Sequence, residues 1–176
     1  DAGGAIGAAF ASHYQNKKEK RKFQMRHAYW GTSFNEDQVL SCIKKNKENI
    51  EKQKCNYQNI SNDNELNKLV AKDIHDGKVV GWFQGKMEWG PRALGNRSIL
   101  GDPRRSDMKD ILNLKIKRRE SFRPFAPSIL REHVPNWFEN DDEVPFMMKV
   151  YQIKESKRQE IPAVTHVDGS GRLQTV

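Results

Sequence analysis

The chain has 176 residues, of which 36% are apolar, with a formal net charge of +8 and a mean hydropathy of -0.89. This length suits one domain with or without part of another, and the apolar content argues against wholesale disorder. The basic excess indicates anionic partners, whereas no apolar run reaches the roughly 18 residues of a membrane span. We expect no secretory signal. Cys42 and Cys55 lack zinc-ligand spacing and are predicted to be free thiols in a reducing cytoplasm.

The first half of the chain is predicted to be helical with polar connections. Glycines within residues 1–14 indicate a tight turn entering a Gly/Ala helix, either to approach a ligand or to pack closely. Residues 15–26 are predicted to be a charged linker. Helices are predicted over 35–45, after an Asn or Thr cap, and over 64–76, before a terminating glycine. Between them, 44–64 has the polar composition of a surface connection.

The second half alternates between strand and helix signals. Strands are predicted over 78–84, 146–153 and 163–167, a helix over 106–117, and an extended segment with two prolines over 122–130. This alternation indicates a mixed α/β (α+β) domain. The predicted core consists of large apolar side chains: Val79, Val80, Trp82, Phe83, Ile99, Leu100, Ile111, Phe125, Ile129, Phe146 and Val150.

Three segments carry the candidate basic side chains: 85–105, 115–123 and 165–172, of which the first and third also contain glycines. Arginine offers a planar fork that binds phosphate bidentately, lysine offers a point charge, and glycine-flanked turns can add backbone N–H donors. These features together favour phosphate binding. No GxxxxGK[ST] sequence occurs, which argues against an ordinary P-loop ATPase.

Part of this charge has a simpler explanation, because runs of basic residues commonly lie on solvated surface. We expect this of four arginines, namely Arg104, Arg105, Arg118 and Arg119. Arg92 and Arg97 alternate with apolar residues and are predicted to be partly buried beside anionic partners. That partner is either a phosphate or Glu88, which would make a purely structural ion pair.

His166 and Asp168 are the candidates of the third segment. A single histidine in apolar surroundings is either a structural residue with satisfied hydrogen bonds or a residue that contacts a ligand. Asp168 precedes a glycine and is first of all a turn residue. The residues alone leave both alternatives open.

The chain resembles the O-carbamoyltransferases in three blocks of sequence: GWFQGKMEWGPRALGNRSILGDPR (81–104), IKRRESFRPFAPSIL (116–130) and PAVTHVDGSGRLQTV (162–176). That family includes nodulation protein U and the antibiotic carbamoyltransferases of the tobramycin and cephamycin type. The opening DAGGAIGAA is similar to a stretch near the end of the family's preceding domain.

The resemblance implies a domain organisation. An amino-terminal actin-like domain would carry out the final carbamoyl transfer, and residues 1–26 would be its tail end and linker. Residues 27–176 would form a YrdC-like domain with a mixed twisted sheet and flanking helices, truncated at its C-terminus. In that domain carbamoyl phosphate would be processed, and its carbamate joined to AMP from ATP. The carbamoyl adenylate would then pass to the other domain, where a substrate hydroxyl attacks it.

The resemblance also implies roles for individual residues. The residues expected to act in catalysis are Arg92, Lys117 and Arg123. The residues expected to contact substrate or ATP are Lys86, Arg97, His166, Asp168 and Arg172. Asp1 matches a metal ligand whose two partner histidines, in an HxxxH motif, are absent from this sequence.

The expected cofactors are ATP with Mg²⁺, and iron or another divalent metal in the missing amino-terminal domain. The expected partners are carbamoyl phosphate, a hydroxyl acceptor that the sequence does not identify, and that missing domain. We expect a cytoplasmic protein without membrane or nucleic-acid partners, and a fragment that is inactive alone. The alternative is a basic YrdC-like module for RNA binding or tRNA threonylcarbamoylation, suggested by the net charge and by Trp82, Trp89 and Trp137.

Overall fold

A computed structural model describes residues 3–176, so the metal-ligand prediction for Asp1 lies outside the described residues. The helices are α1 (Gly3–Lys17), α2 (Glu36–Lys45), α3 (Lys47–Lys52), α4 (Asp63–His75), α5 (Met108–Asp110) and α6 (Val134–Trp137). The strands are β1 (Val80–Phe83), β2 (Arg97–Leu100), β3 (Ser128–Ile129), β4 (Val150–Gln152), β5 (Ser170–Arg172) and β6 (Gln174–Thr175). Helix α5 continues into a π-helical segment, Ile111–Ile116, and short 3-10 turns occupy Arg131–His133 and Glu155–Lys157. The predicted α/β (α+β) class is confirmed.

The strands pair in three two-stranded sheets that include both parallel and antiparallel pairings. β1 and β2 are antiparallel, with Val80 opposite Leu100. β4 and β5 are also antiparallel, whereas β3 runs parallel to β6. Because β5 and β6 lie near the C-terminus and pair with earlier strands, they bring the third basic segment beside the second. These long-range pairings position the candidate site.

Local hydrogen bonds define the ends of the helices in the first half. The Asn35 side chain accepts a hydrogen bond from the backbone N–H of Gln38 at 2.9 Å, and the Gln38 side chain accepts one from the backbone N–H of Asn35. This capping box begins α2, while Asn62 caps α4 and Gly77, with φ of +85°, follows its end. Both predicted helices are thus confirmed.

Two details of the first half differ from the prediction. The polar connection contains an additional helix, α3, whose sequence KENIEK has good helix formers but no apolar stripe. The Gly/Ala helix α1 is present but packs loosely, since nothing lies within 4 Å of where a Cβ would stand on Gly3, Gly4 or Gly7. No helix among residues 3–176 is long and apolar enough to cross a membrane.

The hydrophobic core lies mainly in turns and loops of the second half. The larger cluster consists of buried Val134, Phe138, Val144, Ile153, Ile161, Val164 and Leu173. A smaller cluster consists of Met108, Leu112 and Ala163. Three of the eleven predicted core residues are wrong, since Phe83, Ile99 and Val150 are 58%, 40% and 53% exposed. Four others pack partly buried against one or both clusters, namely Val79, Ile111, Phe125 and Ile129.

The predicted strand over 163–167 is also wrong. The chain turns there, and the backbone N–H of Val164 bonds to the carbonyl of Ile161 at 3.2 Å. Gly169 then adopts φ of +80°, and the strand, β5, follows this turn. Burial of Ala163 and Val164 explains their apolar character without a strand.

Candidate functional site

A cleft of about 410 Å³ contains side chains from all three predicted basic segments. Its basic lining residues are Arg92, Lys109, Lys117, Arg119 and Arg172. Among the described residues that line it, none is acidic. We call this feature the basic cleft. Its volume lies in the range of small-molecule sites, and its charge favours an anionic ligand.

Arg172 lies at the centre of this charge. Burial lowers the pKa of its guanidinium, and the nearby charges of Arg92 and Arg119 lower it further. Its buried Nε has no hydrogen-bond partner among residues 3–176. The positive charges of Arg92 and Arg119 therefore act on the buried guanidinium of Arg172, and a bound phosphate would stabilise this concentration of positive charge.

The loop that carries Arg92 is organised by Glu88. One carboxylate oxygen accepts hydrogen bonds from the backbone N–H groups of Leu94 at 2.7 Å, Asn96 at 2.9 Å and Arg97 at 3.3 Å. Partial burial raises the pKa of Glu88, but these backbone hydrogen bonds outweigh it and hold the pKa below its usual value. The sequence suggested Glu88 as an arginine partner and gave no signal for this backbone role.

Arg97 and Lys86 are not among the residues that line the basic cleft. The Arg97 guanidinium lies 3.6 Å from the centre of the Phe83 ring and donates hydrogen bonds to the carbonyls of Gln84 and Gly85. Lys86 is exposed, and its carbonyl accepts a hydrogen bond from the Asn96 amide at 2.7 Å. In this arrangement Arg97 has a structural role between β1 and β2.

The second basic segment is divided between cleft and surface. Lys117 and Arg119 line the cleft, whereas Arg123 is exposed and pairs with Glu120 at 2.9 Å. The structure therefore brings Lys117 to the site but not Arg123, and it corrects the expectation that Arg119 lies on solvated surface. The neighbouring Arg118 is exposed, as expected.

The surface expectation is also confirmed for the two arginines that follow β2. Arg104 pairs with the buried Asp102 at 2.7 Å, and Arg105 pairs with Asp107 at 2.7 Å. Both arginines are exposed and lie outside the lining of the basic cleft.

His166, Ser170 and Asp168 form a hydrogen-bonded chain beside β5. The Ser170 hydroxyl donates to Asp168 at 2.6 Å and lies 3.0 Å from Nδ1 of His166. Because the serine proton points to the carboxylate, Nδ1 must be the donor to Ser170, which leaves Nε2 as an acceptor. That buried Nε2 has no partner among the described residues. Asp168 is also the expected turn residue, since it accepts the backbone N–H of Ser170.

The charge state of His166 follows from its surroundings. Burial lowers its pKa, Asp168 opposes this effect, and the positive charges of Arg172 and Lys109 add to it. The net direction favours neutral imidazole. His166 is not among the residues that line the cleft, although it interacts electrostatically with two that are.

The described side chains that could bind a metal ion are dispersed. Within residues 3–176, no group of three or more His, Cys, Asp or Glu side chains is arranged to hold a metal ion. Cys42 and Cys55 are exposed free thiols, as predicted.

Residues 71–176 match the family described as carbamoyltransferase C-terminus. The chain belongs to this family. All five basic residues of the cleft lie inside the matched region, so the site is built wholly from family sequence. The predicted family is thereby confirmed.

Individual relatives agree with this assignment. The chain is 42% identical over 185 residues to nodulation protein NolNO of Sinorhizobium fredii, covering 100% of this chain and 25% of that protein. It is 48% identical over 100 residues to 3'-hydroxymethylcephem-O-carbamoyltransferase of Amycolatopsis lactamdurans, covering 57% and 19%. The chain spans about a quarter to a third of the length of the curated relatives that it matches over its full extent.

Proposed function

We propose that this carbamoyltransferase C-terminal domain binds carbamoyl phosphate and ATP in the basic cleft and forms carbamoyl adenylate. The observation that carries the proposal is the convergence of Arg92, Lys117, Arg119 and Arg172 from three distant segments on one cleft. Both substrates are phosphate compounds, and a carbamoyltransferase relative acts on a hydroxymethyl compound by its name. The adenylate would serve transfer to a hydroxyl acceptor.

The proposed chemistry has two steps. Water first cleaves the bond between the carbamoyl group and phosphate, giving carbamate and inorganic phosphate. A carbamate oxygen then bonds to the α-phosphorus of ATP while the bond from that phosphorus to its bridging oxygen breaks, which releases pyrophosphate. Both steps concentrate negative charge on phosphoryl oxygens, and fixed cations such as Lys117 and Arg172 stabilise such charge. Mg²⁺ would enter with the ATP phosphates.

The remaining steps are proposed to belong to the rest of the protein. Residues 1–26 would be the end of an actin-like domain and its linker, and 27–176 the YrdC-like domain. Transfer of the carbamoyl group, the iron or other divalent metal, and recognition of the hydroxyl acceptor would lie in that other domain. The chain alone would then bind ligand without transferring the carbamoyl group.

An RNA-binding role is less well supported by the side chains. Of the three tryptophans that suggested it, Trp82 and Trp137 are half-buried, and Trp137 packs against the larger core cluster. Trp89 is 45% exposed. A stacking surface for bases needs several accessible aromatic rings beside the basic groove.

Calorimetry with the full-length protein tests the proposal. We expect binding of carbamoyl phosphate and ATP, and Arg172→Ala should weaken it at least about tenfold through loss of a charge-assisted contact. Arg105→Ala is the matched control, because it removes the same charge from an exposed ion pair. Absence of binding by the wild-type protein at millimolar ligand would overturn the proposal.

Two further measurements complete this test. The resemblance implies a catalytic role for Arg123, whereas the structure places Arg123 in an exposed ion pair with Glu120. The variant Arg123→Ala distinguishes these two roles. A tenfold loss of carbamoylation activity would support the catalytic role. Unchanged turnover would support the surface ion pair. Steep weakening of RNA binding with salt at sub-micromolar affinity would instead support the nucleic-acid alternative.

A further inference from the structure

The π-helical segment Ile111–Ile116 contains one buried polar side chain that links two parts of the second basic segment. Asn113 is 0% exposed. Its amide nitrogen donates hydrogen bonds to the backbone carbonyls of Ser121 at 3.1 Å and Arg123 at 2.9 Å. Its amide oxygen accepts a hydrogen bond from Nε of Arg119 at 2.6 Å. All three polar contacts of the side chain are therefore made to the segment that follows it.

The backbone around these contacts is unusual. The carbonyl of Asn113 also accepts the N–H of Arg119 at 2.9 Å, and the N–H of Lys117 bonds to the carbonyl of Leu112, five residues earlier. Between the two cleft residues, Arg118 has φ of +48°, a left-handed conformation that is costly for a side chain of this kind. Wide helical turns and such backbone conformations persist where surrounding contacts enforce them, and Asn113 supplies those contacts.

These contacts also determine which donors of Arg119 remain available. With Nε bonded to Asn113, the two terminal nitrogens of the guanidinium are not used in that contact. The guanidinium lies over the Phe125 ring, 4.8 Å from its centre, and Phe125 packs against both core clusters. Asn113 thus holds the Nε edge of the Arg119 guanidinium, and the Phe125 ring supports one face of it. The edge formed by the two terminal nitrogens can bind two oxygens of one phosphate.

We infer that Asn113 is a positioning residue that holds Arg119 as an anion-binding fork of the basic cleft. The inference rests on the proposed function and deepens it, because it assigns Arg119 to phosphoryl oxygens of the ligand. Asn113 itself is fully buried and is not among the residues that line the basic cleft. Its effect on binding passes entirely through Arg119 and the loop that it fixes.

The test uses two substitutions at Asn113 that are similar in size. Asn113→Leu removes the acceptor for Arg119 as well as the donors to the two carbonyls, whereas Asn113→Asp removes the donors and keeps the acceptor. Calorimetry with inorganic pyrophosphate on the full-length protein should show about tenfold weaker binding for Asn113→Leu, the loss typical of one charge-assisted hydrogen bond. Asn113→Asp should bind at least about threefold more tightly than Asn113→Leu.

The same pair in an Arg119→Ala background separates positioning from general damage to the fold. There the advantage of Asn113→Asp over Asn113→Leu should disappear, because the residue through which it acts is gone. Equal binding by the two variants when Arg119 is present would overturn the inference. An advantage that persists in the Arg119→Ala background would overturn it as well.

Arg119→Lys provides a measurement that does not depend on how Asn113 variants fold. Lysine keeps the charge but has neither the Nε contact nor the fork, so we expect about tenfold weaker pyrophosphate binding. Lys115→Gln, at an exposed position of the same π-helical segment, is the control and should bind like the wild type. Wild-type affinity of Arg119→Lys would contradict the inference. If wild-type protein binds pyrophosphate but neither carbamoyl phosphate nor ATP, the proposed function fails while this test remains decisive.

Discussion

The two halves of the chain differ in how much tertiary packing their secondary structure receives. No residue of α1 to α4 is buried, and among the residues described before Leu94 the one buried apolar side chain is Ala28. In contrast, both core clusters draw their buried members from residues 108–173. The family match, 71–176, begins inside α4 and includes both core clusters. Helix caps and helical periodicity are therefore sufficient to form the helices of the first half. The family match, in contrast, covers the packed second half, which forms the basic cleft.

The apolar stripe of α2 shows why the difference arises. Val39 and Leu40 follow helical spacing, yet they are 42% and 48% exposed. A helix can form through its own backbone bonds and caps, whereas burial needs a second element against which the stripe can pack. The short strands and turns after Met108 provide such partners for one another.

The largest expected difference in stability between the two halves comes from a substitution that creates a cavity in the core. Phe138→Ala should lower the free energy of unfolding by about 3–5 kcal/mol, because Phe138 is 1% exposed and lies inside the larger cluster. Leu40→Ala in α2 should change it by less than about 0.5 kcal/mol. Urea denaturation followed by tryptophan fluorescence measures both. If Phe138→Ala is too unstable to purify, Ile153→Val, at about 0.5–1.5 kcal/mol, gives the same comparison. If the substitution at Phe138 or Ile153 lowers the free energy of unfolding no more than Leu40→Ala does, the proposed difference between the halves is refuted.

A smaller effect tests the independence of the helical half. Asn35→Ala removes the cap of α2 and should weaken that helix locally by about 1 kcal/mol, without moving the unfolding midpoint of the core. Hydrogen exchange of the amides in α2, compared with those of β4 and β5, measures both parts. Asn49→Ala, at an exposed position of α3, serves as control. A parallel loss of protection in β4 and β5 would show that the halves unfold together.

The smallest expected effect is a dependence of stability on pH, which arises from His166 in the packed second half. The pKa of His166 in the folded chain lies below its ordinary value of 6.5, so the unfolded chain binds the proton more tightly. The contribution of His166 to stability should be complete above about pH 6.5 and decline as the pH falls below it. His166→Asn keeps a donor for Ser170 and removes the titration. Unfolding midpoints of both proteins between pH 7.5 and 5.5 should diverge towards low pH, and parallel curves would contradict the assignment.

The sequence anticipated local features better than the core. Asn35, Asn62 and Gly77 act within a few residues of their own positions, and the helices they bound were predicted correctly. Phe83 and Val150 are large apolar residues within predicted strands, and their apolar character predicts burial. The strands exist, but whether such a side chain is covered depends on distant segments of the chain.

The site divides in the same way. The amino-acid sequence by itself determined the family, the α+β class and the three basic segments, because each of these is written in local composition and spacing. Only the tertiary structure decided which cations meet. Lys117 and Arg119 enter the cleft while Arg123, four residues beyond Arg119, pairs with Glu120 on the surface. A π-helical turn, a left-handed residue and the buried Asn113 determine that division, and Arg172 joins the cleft because β5 pairs with the distant β4. Charge is a property of the residue, whereas the direction of a side chain depends on backbone contacts made between segments far apart in sequence.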